Sequence, residues 1–306
     1  MDGIPKRFRP GYLKLLASGE LQARISKAYE RLADCDLCPR LCHVDRTAGK
    51  KGYCRAGKDP VVASYGPHFG EEAPLVGWGG SGTIFFAYCT LRCVFCQNFD
   101  ISYMAQGDLI PPEELAEVML GLQEAGCHNI NLVTPTHYVA PILAATGIAA
   151  KKGLSLPLVY NTSGYERVET LRLLDGAVDI YMPDMKYGDS EMAAMYSDAG
   201  DYAEINREAV KEMYRQVGNL VVDENGIALK GLIIRHLVMP ENQAATGQVM
   251  KVIAEEISPD AFVNVMDQYR PTFKAKDFPR IARPITRREY RDALNAAREA
   301  GIRNIK

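Results

Sequence analysis

The sequence has no run of about 18 apolar residues, so no segment reads as a membrane-spanning helix. Met1 to Leu16 carries no apolar core followed by a small-residue cleavage site, and the expectation is a cytoplasmic protein. Charge of one sign is lacking too. The 36 Lys and Arg against 38 Asp and Glu leave a net charge of −2, and the pI is near 6.3. That balance gives no electrostatic reason to expect nucleic acid or an anionic membrane as a partner. No internal repeat and no low-complexity segment is seen, which argues against a solenoid. What remains is a 306-residue chain, 47% hydrophobic, able to bury one sizeable core and a small appendage.

Cysteine is plentiful instead, with eight residues. In a reducing compartment they argue for metal ligation or redox work rather than disulfides. They fall into an early group (Cys35, Cys38, Cys42, Cys54), a triplet (Cys89, Cys93, Cys96) and Cys127 alone. Leu21, Ile25, Ala28, Tyr29 and Leu32 predict a short amphipathic helix leading into the early group, so residues 1–80 read as a helix plus a four-cysteine metal module.

Residues 81–306 alternate strand-length apolar runs with helical stretches, the order that builds a parallel sheet through crossovers. The predicted strands are Thr83 to Tyr88, Asn129 to Thr134, Pro157 to Asn161, Val178 to Met182, Leu232 to Met239 and Phe262 to Asp267. Helices are predicted from Pro111-Pro112 to Gly126, over Glu166 to Leu174, and around Glu204 to Gln216. A hairpin is expected around Asp223-Glu224-Asn225-Gly226. Six β/α units fall short of the eight of a closed barrel, so the expected fold is α/β, a partial (β/α)6 barrel open on one side.

Cys89-x3-Cys93-x2-Cys96 directly follows the first of these strands. Three thiolates on one loop suit three irons of a [4Fe-4S] cubane and leave the fourth iron open. Structural zinc normally takes four protein ligands, and no fourth stands nearby. The early group does supply four thiolates, enough for zinc or for a second [4Fe-4S] cluster, with Pro39, Gly49 and Gly52 suiting a tight knuckle. Cys127 sits at a helix-to-strand junction, where a small buried residue is the ordinary expectation.

Polar clusters occupy the C-terminal ends of the predicted strands, where a β/α barrel keeps its chemistry: Thr134, Thr136 and His137, then Asn161, Thr162 and Ser163, then Asp184 and Lys186. Each cluster taken alone reads equally as a loop or helix cap. His137 is either substrate-facing or structural. Alternation along the fifth strand sends Arg235 and His236 to opposite faces, and His236 is expected to pack.

The triplet with Phe95 before its third cysteine, together with NINLVTPTHYV, YNTSGYE, DIYMPDMKY and RHLVMP, resembles the radical S-adenosylmethionine (SAM) superfamily, in its pyruvate formate-lyase activating enzyme-related (PflX-type) group. The resemblance runs from about Cys35 to the end. It implies SAM on the open iron, cleaved to a 5′-deoxyadenosyl radical for hydrogen abstraction, with a reductant such as flavodoxin or ferredoxin. Phe95 would then lie against the adenine, and Asn161, Thr162 and Ser163 would contact the methionyl group. Lys186 would reach a SAM carboxylate or ribose, Asp184 and Thr162 would hold a monovalent cation, and Arg235 would face the cavity. Gln268 would complete the adenosine pocket. The Gly-Gly-Glu that many such proteins carry after the second strand is missing, and Thr134 and Thr136 stand in its place. The implied substrate is a glycyl-radical protein or another protein or peptide. The alternatives are a small-molecule-modifying radical enzyme, and a non-enzymatic iron-sulfur or zinc protein. The basic C-terminal run, Arg270 to Arg291, reads as a solvated helix face with its preceding loop.

Overall fold

The computed structural model describes residues 8–306, so the start of the stretch Met1 to Leu16 lies outside the described residues. Its frame is one sheet of ten strands: β1 Val61–His68, β2 Ser81–Phe86, β3 Asp108–Leu109, β4 Ile130–Val133, β5 Leu158–Thr162, β6 Ile180–Pro183, β7 Val221–Val222, β8 Ala228–Leu237, β9 Phe262–Met266 and β10 Asn304–Ile305. The order is β10-β9-β8-β6-β5-β4-β2-β1-β3, with β7 pairing β8. Every pair from β2 through β4, β5, β6 and β8 to β9 is parallel. These are the six predicted strands in chain order, which makes the α/β partial barrel of the expected kind. Helices Pro112–Glu124, Val139–Lys151, Val168–Leu174, Tyr202–Val217 and Thr246–Val252 fill the crossovers.

Three features depart from the expectation. Val61–His68 is a strand, paired antiparallel with β2 from Val62 opposite Phe86 to His68 opposite Ser81, so the region before residue 81 shares the barrel's own sheet. The outer arm of the expected hairpin is not separate: it runs straight on as β8, with β7 folded back against its start. The helix Val139–Lys151 gives little periodic signal because it is buried nearly all round, packed between the sheet and the N-terminal helix Glu20–Glu30.

The N-terminal helices dock by specific bonds as well as by apolar contact. Gly11 N–H donates to Asp179 Oδ1 at 2.9 Å, and Tyr12 OH donates to the Leu156 carbonyl at 2.9 Å. Leu21, Ala28 and Leu32 bury their face in the main core with Val139, Leu143 and Leu171. At the C-terminal helix Arg287–Glu299, Thr286 and Glu289 form a capping box. Arg283 pairs with Glu289 and Arg280 with Glu241, so part of the basic run is already neutralised. Cys127 is buried in an apolar cluster as expected.

Candidate active site at the cysteine loop

β2 delivers the chain to the loop at Ala87, whose N–H donates to the Val61 carbonyl, and Tyr88 then turns through a left-handed φ of 69°. The loop is held from several sides. Arg92 and Val94 N–H groups donate to the Ser197 and Tyr196 carbonyls, and Lys274 N–H donates to Val94 O. The Arg92 guanidinium bridges the Cys89 carbonyl at 3.0 Å and the Tyr53 carbonyl at 2.6 Å. Each sulfur has its own polar neighbour: Leu91 N–H donates to Cys89 Sγ at 3.4 Å, Ser197 Oγ donates to Cys93 Sγ at 3.0 Å, and Ser102 Oγ lies 3.2 Å from Cys96 Sγ. Burial pushes the Cys89 thiol up to about 12, with the Cys93 sulfur adding to it, and burial raises Cys93 as well. Metal is what would draw the protons off such thiols, and donors of this kind then tune the thiolates. Three sulfurs, each with a polar neighbour, at a strand end and with no fourth protein ligand beside them, fit a cubane that keeps one iron open.

The three cysteines line a cavity of about 160 Å³ together with Thr134, Asn161, Thr162, Ser163, Asp184, Lys186 and Arg235. A wider cavity of about 360 Å³ continues from it, sharing Cys93, Asn161, Lys186 and Arg235 and adding Phe95, Gln268, His68 and Glu71. Nine of the ten SAM-contact candidates therefore face one connected space. Thr136 does not: it is buried behind the wall, its hydroxyl donating to Glu166. His137 is also buried, bonded through Nε2 to the Ala87 carbonyl at 2.8 Å, and burial lowers its pKa to about 3. Of the two readings of His137, the geometry matches the structural one. His236 packs on the opposite face of β8 from Arg235, between the Met185 carbonyl and Thr246.

Charge in the cavity is organised around Asp184. Lys186 Nζ bonds one carboxylate oxygen, and Arg235 Nε donates to the other at 2.9 Å. Burial opposes ionisation of Asp184, but Arg235 and Lys186 outweigh it and hold the carboxyl below the ordinary aspartate range. Burial likewise opposes the charge on Lys186, and Asp184 and the Cys93 sulfur raise it. The helix Tyr202–Val217 fixes these strand ends from behind: Tyr202 OH lies 2.7 Å from the Ser163 carbonyl, and Asn206 donates to Gly164 O and Asp184 O. Only glycine fits at position 164, where a Cβ would lie 2.3 Å from Asp184 O.

Glu166 was not singled out from the sequence. It takes the hydroxyls of Thr136 and Thr162, and burial pushes its pKa up to about 7, against the pull of those donors. A raised carboxyl pKa means that the folded protein holds the proton more tightly than the unfolded chain. Stability from this group is present at low pH and is lost as pH rises through about 7. Between pH 5.5 and 8 the change should be about 2 kcal/mol. Asp179, raised to about 7 by burial, adds a slope of the same sign. Urea denaturation at the two pH values should therefore show a shallower slope for Glu166→Gln than for wild type. Parallel dependences would refute the assignment.

The early cysteines also converge. Among the described residues no three His, Cys, Asp or Glu side chains close on a single-ion spacing. Two of the four sulfurs have an N–H donor: Arg46 to Cys35 at 3.7 Å and Tyr53 backbone to Cys42 at 3.2 Å. Gly52 is required by close approach, since a Cβ there would lie 2.7 Å from Cys42 Sγ. His43 points away to Asp34 and is half-exposed. The module is bolted to the triplet loop. Arg40 stacks 3.8 Å above the Tyr53 ring and donates through Nε to Thr90 O at 2.9 Å.

The chain is similar to proteins of known sequence and structure. The uncharacterized protein MJ0674 of Methanocaldococcus jannaschii is 34% identical over 292 residues, covering 92% of this chain and 79% of that protein. A second uncharacterized protein of that organism, MJ0808, is 26% identical over 167 residues, 48% of this chain and 49% of the relative. Among solved structures, Streptococcus suis SuiB bound to precursor peptide SuiA matches with TM-score 0.47 and 12% identity, over 72% of this chain and 46% of that one. HydG, a maturase of the [FeFe]-hydrogenase, matches with TM-score 0.47 and 15% identity, over 70% and 47%. The chain spans about half the length of MJ0808 and of both solved structures. The family model of the radical SAM superfamily matches residues 83–246, from β2 past the end of β8, and with it the chain belongs to the radical SAM superfamily.

Proposed function

We propose that this radical SAM enzyme holds its [4Fe-4S] cluster on Cys89, Cys93 and Cys96, binds SAM in the adjoining cavities, and abstracts hydrogen from a substrate entering by the barrel's open side. The observation that carries the reading is the single wall shared by the three sulfurs, Lys186 and the strand-end polar groups. When bound, the cluster and SAM supply an electron and a 5′-deoxyadenosyl radical.

The chain's own residues do the positioning. Ser163 Oγ is buried without a hydrogen-bond partner on the cavity wall, and it is a ready contact for the methionyl carboxylate. Lys186 supplies the matching positive charge, kept protonated by Asp184. Thr134, left-handed at φ 60°, sets its side chain on the wall where the missing Gly-Gly-Glu would act. Phe95 packs against Tyr269 and, with Gln268, edges the wider cavity as an adenine site. A monovalent cation at Asp184 and Thr162 would share these groups with Lys186, Arg235 and Glu166, which engage them here.

Cys35, Cys38, Cys42 and Cys54 hold zinc or a second [4Fe-4S] cluster in this reading. The N–H donors to Cys35 and Cys42 and the module's direct bracing of the triplet loop support it. Glycyl-radical installation on a partner protein, after the PflX-type resemblance, is the substrate reading to test first, with a peptide or small molecule as the alternative.

Anaerobic protein reconstituted with iron and sulfide and given SAM and dithionite should release 5′-deoxyadenosine and methionine. A protein that carries the cluster and releases neither overturns the reading.

A further inference from the structure

The segment after β1 has no assigned role and occupies a telling place. β1 runs antiparallel to β2 and reaches the barrel's lower end at His68. The chain then turns in beneath the barrel. Leu75 is buried among Val159, Ile180, Ile233 and Phe262, and Glu72 Oε1 accepts a bond from Asn264 on β9 at 3.1 Å. This turn closes the floor of the wider cavity, and His68 and Glu71 line it.

The polar groups of this floor are incompletely satisfied. The Glu71 side chain is 91% buried, and its nearest cation is Arg235 Nη1 at 3.9 Å, a guanidinium already committed to Asp184 and Asn161. His68 Nδ1 stands 3.4 Å from Glu71 Oε1 and has no aligned hydrogen bond. Behind Glu71, Glu72 Oε2 is buried without a partner. Asn131 lies two residues before the cavity-lining Val133 on β4 and therefore on the same face, and its buried Oδ1 is unpartnered as well. Most of these free atoms are acceptors. Three carboxylates (Glu71, Glu72, Asp184) meet two permanent cations, Arg235 and Lys186, and both of these are bonded to Asp184. Burial raises the Glu71 pKa and Glu72 adds to it, outweighing the opposite pull of Arg235, His68 and the Asn131 side chain. Such a floor lacks a cationic donor.

We propose that His68 and Glu71, backed by Glu72 and Asn131, form the substrate subsite and take a protonated amine or guanidinium group of the substrate. The proposal rests on the SAM reading above, because that reading places the reacting end of the substrate at the opposite side of the same cavity. The substrate is then a molecule or side chain with an N–H cation a few bonds from the carbon that loses hydrogen.

The test uses full-length protein, reconstituted and loaded with SAM, titrated anaerobically by calorimetry with three probes of equal chain length: hexylammonium, hexanoate and hexan-1-ol. The expected result is binding of hexylammonium at least about tenfold tighter than either of the others. Glu71→Gln should weaken it by about tenfold, and Glu71→Lys should turn the preference toward hexanoate. Equal binding of the three probes by wild type, or binding of none, overturns the subsite even if the variants fail to fold. So does unchanged hexylammonium binding in a folded Glu71→Gln. Wild-type protein that releases 5′-deoxyadenosine but shows no cation preference sinks this proposal alone. Protein that prefers hexylammonium yet never cleaves SAM sinks the reading beneath it.

Discussion

Replacing Cys89, Cys93 and Cys96 together by alanine is expected to abolish SAM cleavage, with 5′-deoxyadenosine falling to the level of a protein-free control. The three sulfurs share one cavity wall, and each has its own polar neighbour in Leu91, Ser197 or Ser102, so none has a substitute nearby. The fold should survive, because the loop is held through backbone bonds and Arg92 rather than through sulfur contacts. The same variant isolates the early cysteines. Iron and sulfide retained by the triple variant would assign Cys35, Cys38, Cys42 and Cys54 to a second cluster, and one zinc per chain with no iron would assign them to a structural site. Substantial 5′-deoxyadenosine from the variant would remove the triplet from the chemistry.

The six barrel strands were legible in the sequence because each is a short apolar run closed by a turn, and the parallel order follows from the helices between them. β1 was not. Its exposure alternates irregularly from Val61 to His68, with Tyr65 open to solvent, and a glycine and a proline stand near its end. Antiparallel pairing and a place between β2 and β3 are tertiary facts that no local pattern carries.

The same blindness hid the cavity floor. His68 ends, and Glu71 and Glu72 follow, a strand that sequence reasoning placed in an appendage, and only the turn beneath the barrel brings Glu71 opposite Arg235. The strand-end polar residues were legible because barrel chemistry gathers there, yet their depth was not. Thr134 and Thr136 are two residues apart, but a left-handed turn at Thr134 and the short 3-10 helix Thr136–Tyr138 put one on the wall and the other behind it. Glu166 was missed because a glutamate at the start of a helical stretch reads as a first-turn acid, favoured there by the helix dipole.

Arg46→Met is expected to destabilise the protein by about 3–5 kcal/mol, the usual cost of breaking a buried charge pairing. For a chain of this size that corresponds to a fall in Tm of roughly 10 °C. Arg46 is 2% exposed, and among the described residues its guanidinium bonds carbonyls and a sulfur rather than a carboxylate. Its guanidinium donates to the carbonyls of Gly57 and His137 and reaches Cys35 Sγ at 3.7 Å. A guanidinium stays protonated even when buried, and in the proposed reading its countercharge comes from the metal-bound sulfurs beside it. Four thiolates around zinc or around a cubane carry net negative charge, whereas four thiols carry none. If the early cysteines hold metal as proposed, removing it from wild-type protein with a chelator should strand Arg46 and cost stability that the Arg46→Met variant has already lost, so the two perturbations together should be less than additive. Thermal melts of the four species measure this coupling directly, alongside metal content at the N-terminal site. Full additivity, or a variant that melts with wild type and keeps its metal, would show that the cysteine module is not the anion that holds Arg46 in the core.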